Sequence, residues 1–212
     1  MNWKKELFRN FRFYAITDLT SFDRKLPERV DRAFCGGIDI VQLRSKTLPD
    51  KEFLELGQAI RKIANRRKKL FIVNDRIDLA LALEADGVHL GQDDLPIPVA
   101  RKIIGRNKLL IGHSTHSVEQ AKQAEKEGAD YIGFGPIFRT PTKPTYQPIG
   151  LSDIARVKQT VKIPFVCIGG INLDNIDSVI KAGATRVAVV RAIFDQTDVA
   201  EAARRLRERI LQ

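Results

Sequence analysis

The chain has 212 residues, enough to bury a sizeable core, and one domain is expected. Hydrophobic residues make up 43% and charged residues 29%, as in a soluble globular protein, and no apolar run reaches membrane-spanning length. The opening segment, Met1 to Asn10, lacks the continuous apolar stretch of a secretion signal, so a cytoplasmic protein without a membrane partner is expected.

A net charge of +10 suits either nucleic acid or small polyanions such as phosphorylated substrates. Much of the excess lies in Arg61-Lys62, Arg66-Arg67-Lys68-Lys69 and the run Arg204 to Arg209, in the later turns of predicted helices. Cations there meet the negative end of the helix dipole. No aromatic residues interleave with them, so a solvated charged surface is expected and a nucleic-acid partner is not. Cys35 at a helix end and Cys167 inside an apolar strand read as buried thiols, not as a disulfide.

Trp3, Leu7, Phe8 and Phe11 recur at helical spacing and predict a short N-terminal helix packed against the body of the fold. A regular alternation follows. Phe13–Thr17 reads as a strand and Arg24–Phe34 as a helix; Ile40–Leu43 is a strand and Asp50–Arg67 a long helix. Leu70–Val73 precedes a short helix over Ile77–Leu83, and Gly87–Leu90 precedes one over Ile97–Ile104. Leu109–Gly112 pairs with Ser117–Lys126, Asp130–Gly133 with Ser152–Gln159, and Phe165–Ile168 with Leu173–Lys181. Arg186–Val190 precedes the last helix, which Asp198 caps and which runs to Leu211. Helices end repeatedly at glycine, as in Cys35-Gly36-Gly37, Ala85-Asp86-Gly87, Glu127-Gly128-Ala129 and Lys181-Ala182-Gly183. The strands are short and apolar without strict alternation, as in a parallel sheet covered by helices.

Eight strand–helix units are the number that closes a (β/α)8 TIM barrel. An open doubly wound sheet would carry a glycine-rich first turn, whereas Thr17-Asp18-Leu19-Thr20-Ser21 contains no glycine. In the barrel the site lies at the C-terminal ends of the strands. There the sequence places Arg44-Ser45-Lys46, Asn74-Asp75-Arg76, Gly91-Gln92-Asp93-Asp94 and Ser114-Thr115-His116-Ser117. Thr140, Thr142 and Lys143, then Gly169-Gly170 and Val190-Arg191, complete the rim.

Each has a plainer reading. Asp75 could cap the next helix, Ser114 or Ser117 could cap another, Gly169-Gly170 could be a tight turn, and His89 is read as a core residue. Together they favour one mouth. Asp75 and Asp94, on neighbouring strands, suit Mg²⁺, which completes its shell with phosphate and water. Arg44, Lys46 and Lys143 can neutralise a diphosphate. Backbone N–H groups at Gly170 and Val190-Arg191 can form a phosphate cup across from it. No zinc-ligand spacing and no Gly-x-Ser-x-Gly elbow are present.

The motifs Val41-Gln42-Leu43-Arg44-Ser45-Lys46, Val73-Asn74-Asp75-Arg76, Gly87 to Asp94, Gly135 to Lys143 and Ile168-Gly169-Gly170-Ile171 resemble the thiamine-phosphate synthase family, over nearly the whole chain from Phe13 onward. The resemblance implies condensation of hydroxymethylpyrimidine diphosphate with thiazole phosphate, or its carboxylated form, to thiamine phosphate and pyrophosphate. Pyrophosphate would leave first, and the thiazole nitrogen would capture the resulting carbocation. By the same resemblance Gln42, Leu43, Arg44, Ser45, Lys46 and Asn74 would hold the pyrimidine diphosphate, with Ser114 and Lys143. Arg44, Lys46, Ser114 and Lys143 would form the catalytic set, and Asp75 and Asp94 would bind Mg²⁺. Thr140, Pro141, Thr142, Gly170, Val190 and Arg191 would hold the thiazole phosphate. Two positions depart from the family pattern: Arg191 stands where serine is common, and His113 where a small or apolar residue is usual.

Two other readings carry different expectations. A thiazole tautomerase would use His116 and have no need for a magnesium–diphosphate set. A non-catalytic phosphate- or nucleic-acid-binding barrel would gain nothing from buried aspartates at the basic mouth. A homo-oligomer is compatible with all three.

Overall fold

The computed structural model describes residues 3–105, 109–142 and 145–212. Lys143, expected in the site, lies outside the described residues. The chain runs α1 (Trp3–Asn10), β1 (Phe13–Ile16), α2 (Leu26–Cys35), β2 (Ile40–Leu43), α3 (Asp50–Arg67), β3 (Leu70–Asn74), α4 (Ile77–Ala82), β4 (Gly87–Leu90) and α5 (Ile97–Ile104). It continues β5 (Leu110–Thr115), α6 (Val118–Glu127), β6 (Tyr131–Phe134), α7 (Ile154–Thr160), β7 (Phe165–Cys167), α8 (Ile176–Lys181), β8 (Val187–Val189), α9 (Arg191–Phe194) and α10 (Val199–Leu211). The strands pair in parallel and in chain order, and β8 closes on β1 with Tyr14 opposite Ala188. The fold is the expected TIM barrel.

The pleat divides the apolar residues between two layers, because alternate side chains leave a strand on opposite faces. Ile40 of β2, Leu70 and Ile72 of β3, Tyr131 of β6 and Val166 of β7 fill the barrel interior with Tyr14 and Ile16 of β1. Val41, Leu43, Phe71 and Val73 face the helices instead. The expected N-terminal helix forms, and its Trp3, Leu7 and Phe8 pack onto the interior cluster. Phe8 meets Tyr131 edge-on at 6.1 Å between centroids.

Three aspartates fix the start of alternate strands. Asp39, just before β2, accepts the backbone N–H groups of Arg12 (2.9 Å) and Phe13 (3.2 Å). Asp86, before β4, accepts from Phe71 N at 2.8 Å, and Asp130, before β6, accepts from Ile111 N at 2.7 Å. Each also meets cations: Lys69 (3.1 Å) and Arg207 (2.5 Å) on Asp39, Arg61 (2.7 Å) and Lys4 (2.6 Å) on Asp86, Arg101 on Asp130. The basic helix ends are therefore not uniformly solvated as expected. Arg61 is buried, Arg66 and Arg67 pair with Asp31, and Arg209 pairs with Asp177.

Other differences from the sequence reading are local. β5 runs on to Thr115, which puts Ser114 on a strand. The four-residue α9 was not anticipated; it is too short to show a periodicity. Both cysteines are free thiols, but Cys35 is exposed, because the last turn of α2 leaves it on the outer face. At Ala85-Asp86-Gly87 the left-handed residue is Glu84 (φ 49), two places before the expected segment's aspartate. Ser117 and Asp198 cap α6 and α10 through their side chains, as expected. Asp75 does not cap α4, whose N-cap position is Arg76. No helix among the described residues is long and apolar enough to cross a membrane.

Candidate active site

Two adjoining cavities, of about 320 and 300 Å³, open at the C-terminal ends of the strands and share Arg44, Asn74, His89, Ser114 and Thr142 as walls. The second reaches out over β3 and β4 to Lys46, Asp75 and Asp94. The first extends across the mouth to Thr140, Gly170 and Val190.

At the acidic end, Lys46 Nζ lies 2.5 Å from Asp75 Oδ2, and Asp94 Oδ2 accepts the Gly91 N–H at 2.6 Å. Asp75 adopts φ 59, a left-handed conformation that a side chain with a β-carbon occupies at some cost. Its backbone N–H donates to His89 O at 2.8 Å, which ties the turn to β4. Burial pushes the Asp75 carboxyl above the usual carboxylate range, and the hydrogen-bonded Asp94 carboxyl pushes it further, against the pull of Lys46. Two carboxylates held together like this accept a dication readily. Arg44 is held from behind: its guanidinium pairs with Asp18 and its N–H donates to Thr17 Oγ1 at 3.0 Å, so only 14% of its side chain is exposed.

The opposite end is built on glycine. A β-carbon at Gly135 would sit 2.1 Å from the Ile168 carbonyl oxygen, so the loop after β6 lies directly against the end of β7. Gly170 has φ 65, and a β-carbon there would meet Arg139 O at 2.6 Å and Phe138 Cβ at 2.8 Å. Asn175 braces this turn, donating to Gly170 O at 2.9 Å and accepting from Asn172 N at 2.9 Å. Arg139, Thr140, Pro141, Thr142, Asn172, Val190 and Arg191 line the same cavity. The Arg191 guanidinium stands 3.9 Å from Asp195, and both side chains are more than half exposed.

Gln42, Arg44, Asn74, Ser114, Thr140, Pro141, Thr142, Gly170, Val190 and Arg191 thus reach the first cavity, and Lys46, Asp75 and Asp94 reach the second. Leu43 and Ser45 reach neither. Leu43 falls on the helix-facing side of β2 and is wholly buried there. Ser45 Oγ donates to Leu19 O at 2.8 Å and accepts from Thr47 N and Leu48 N, so it shapes the turn that carries Lys46. His113 lines neither cavity; its Nε2 lies 3.0 Å from Gln92 Nε2, and burial lowers its pKa. His116 lines the first cavity with Nδ1 against Gly135 O and its ring 4.7 Å from that of Tyr146. Sequence reasoning missed Asp18, Arg139, Asn172 and Asn175 as parts of the site. It read His89 as core, whereas His89 is both hydrogen-bonded inside the barrel and exposed to both cavities.

Comparison with known proteins identifies the family. The family described as thiamine monophosphate synthase matches residues 13–193. A thiamine-phosphate synthase of Moorella thermoacetica is 50% identical over 92% of this chain and 93% of its own length. One from Halalkalibacterium halodurans is 48% identical over 90% and 91%. Among solved structures, a thiamine phosphate pyrophosphorylase from Pyrococcus furiosus superposes with a TM-score of 0.85 at 40% identity, covering 99% of this chain and 98% of that one. The barrel, its rim and these matches lead to one conclusion: the chain belongs to the thiamine-phosphate synthase family, transferases of thiamine biosynthesis.

Proposed function

We propose that hydroxymethylpyrimidine diphosphate and thiazole phosphate occupy the two adjoining cavities and are joined there to give thiamine phosphate and pyrophosphate. The observation that carries this reading is the shape of the mouth. An acidic pair with Lys46 stands at one end, a glycine-built turn at the other, and Arg44, Asn74, Ser114 and Thr142 are common walls between them.

The donor set fits Mg²⁺. Asp75 and Asp94 hold their carboxyls within hydrogen-bond reach of each other, at a cost that raises Asp75, and a dication would remove that cost. Two protein carboxylates would leave the rest of such an ion's shell to phosphate and water. When bound, the ion would offset negative charge on the diphosphate.

The remaining work falls to this chain's own groups. The pyrimidine methylene–oxygen bond breaks first, and the bond to the thiazole nitrogen forms second. That order needs stabilisation of a departing anion and shelter for a cation, not a protein nucleophile. Arg44, fixed by Asp18, and Lys46 would meet the pyrophosphate, together with Lys143. Gln42, Asn74 and Ser114 would hold the pyrimidine. Thr140, Pro141, Thr142, Arg191 and the backbone at Gly170 and Val190 would hold the thiazole phosphate. Leu43 and Ser45 support this set from behind. We read the whole chain as one domain acting in the cytoplasm, in keeping with the closed barrel and the two free thiols.

His116 at the wall of the first cavity is the observation that would favour a thiazole tautomerase, but that reaction leaves the Lys46–Asp75–Asp94 end without a task. The test is to mix the protein with both phosphorylated substrates and Mg²⁺ and measure thiamine phosphate and pyrophosphate. Equal release of both products, abolished by chelator, is expected. Isomerised thiazole with no coupling would overturn the reading.

A further inference from the structure

Below the cavities the barrel interior holds an unbroken line of side-chain hydrogen bonds. Gln42 Nε2 donates to Tyr14 OH at 2.7 Å, and Tyr14 OH lies 3.0 Å from Tyr131 OH. Tyr131 OH lies 3.2 Å from His89 Nδ1, and His89 Nε2 lies 3.1 Å from Ser114 Oγ. The line crosses from β2 through β1, β6 and β4 to β5, and both of its ends are cavity walls. Tyr14, Gln42 and Tyr131 are each at most 2% exposed. Gly112 makes room for its tightest point: a β-carbon there would sit 2.2 Å from Tyr131 Cζ and 2.5 Å from His89 Nδ1.

Counting protons gives the line a direction. An amide NH₂ only donates, and each phenol has one proton. In a dry interior every donor needs an acceptor. Tyr14, which accepts from Gln42, must therefore spend its proton on Tyr131, and Tyr131 must spend its own on His89 Nδ1. Burial keeps both phenols above the ordinary tyrosine value, so neither loses that proton. With Nδ1 as acceptor, the neutral imidazole carries its hydrogen on Nε2, and the bond made by one ring nitrogen sets the state of the other. Ser114 Oγ then accepts from His89, and its own hydrogen is left to point into the cavity.

We propose that Gln42, Tyr14, Tyr131 and His89 form a one-way hydrogen-bond relay that makes the Ser114 hydroxyl a dedicated donor to the substrate and leaves Gln42 Oε1 as an acceptor. Tyr131 and His89 are positioning residues, acting through Ser114. This deepens the proposed function and rests on its placing of Ser114 against the pyrimidine diphosphate.

The test begins with the whole chain labelled with ¹⁵N-histidine. The sequence has three histidines, so His89 can be assigned by comparison with His89→Gln. The His89 ring should carry hydrogen on Nε2 and none on Nδ1. An Nδ1–H tautomer or an imidazolium would overturn the relay, whatever the variants do. Tyr131→Phe removes the donor to Nδ1, so the His89 signals should lose that single tautomer. The loss of one oriented hydrogen bond should lower kcat about tenfold with little change in KM. In a Ser114→Ala background the same substitution should cost almost nothing further, because its effect travels through Ser114. A full, additive loss in that background would show that Tyr131 serves the barrel's stability and not Ser114. Unchanged kcat in Ser114→Ala alone would remove the substrate role of Ser114, and with it the functional half of this inference, while the measured tautomer would stand.

Discussion

Asp75→Asn separates the two demands placed on the acidic rim. Asp75 sits at φ 59, and asparagine tolerates that left-handed conformation as well as any side chain with a β-carbon. Its carboxyl is raised by burial first and by Asp94 second. An acid raised in the folded state favours folding fully at pH values below its unfolded pKa, and that contribution is lost as the pH climbs through the folded pKa. Without metal, the wild type should therefore lose stability at this position between acid and neutral pH, and the asparagine variant should not. The variant forfeits the ion pair to Lys46, but that lysine is 58% exposed, so the pair is worth less than about 1 kcal/mol. Relief of the like-charge contact and of carboxylate desolvation outweighs it, for a net gain of about 1 kcal/mol at neutral pH. For a chain of this size that is about 2–4 °C in Tm. Only below the ordinary carboxylate range should the advantage vanish, where the aspartate is protonated in the folded and the unfolded state alike. Thermal unfolding in excess chelator across that pH range measures it, beside synthesis of thiamine phosphate in Mg²⁺, which should fall on the order of a hundredfold. A variant that melts below wild type at neutral pH would refute the electrostatic argument, and one that keeps full activity would take Asp75 out of the metal site.

Arg191→Ser tests the position that departs from its family. If the guanidinium reaches bound phosphate, KM for thiazole phosphate should rise about tenfold with the pyrimidine diphosphate KM unchanged, while an unaltered value would leave Arg191 as the surface partner of Asp195. Gly170→Ala forces onto a left-handed residue a β-carbon that would clash with Arg139 O and Phe138 Cβ, and should cost about 2–4 kcal/mol in urea unfolding as well as raising the thiazole-phosphate KM. Wild-type stability would mean the loop after β6 yields freely. Asp39→Asn leaves Lys69 and Arg207 around a neutral side chain and should lower stability by about 3 kcal/mol at neutral pH. Burial alone would raise Asp39, but the Arg12 N–H, Lys69 and Arg207 hold it below the usual carboxylate range. Its contribution is thus lost as pH falls through that lowered pKa, and unfolding curves of the two proteins should converge only in strong acid.

Most of the barrel was legible because each strand is an apolar run ended by a polar rim, and each helix ends in a short turn. The rim residues were legible for the same reason: Arg44 follows β2 directly, Asn74 ends β3, and Asp94 and Gly170 stand in the short turns after β4 and β7. Contiguity does not carry a motif into a cavity: Leu43 and Ser45 share a motif with Gln42 and Arg44, but the pleat turns Leu43 toward the helices and Ser45 is taken up by its own turn. Pairings across the fold left no local trace. Asp18 holds an arginine 26 positions away, and Asn175 supports Gly170 through a backbone oxygen. His89 was read as core because a histidine inside an apolar strand gives no sign of two phenols and a serine brought to it by three other strands.

The aspartates at the two ends of the barrel show how one residue type is put to opposite uses. At the N-terminal end Asp39, Asp86 and Asp130 each accept backbone N–H groups and meet cations, so charge there is satisfied and the strands are pinned in register. At the C-terminal end Asp75 is held in a left-handed turn beside another carboxyl, with one exposed lysine for relief. The first arrangement is complete without a ligand. The second is relieved by a ligand that brings positive charge, and its cost is carried by a framework that the opposite end has already fixed. A barrel divided in this way can hold an unfavourable charge pair ready for a ligand that brings positive charge, as the proposed magnesium–diphosphate would, without giving up the fold that positions it.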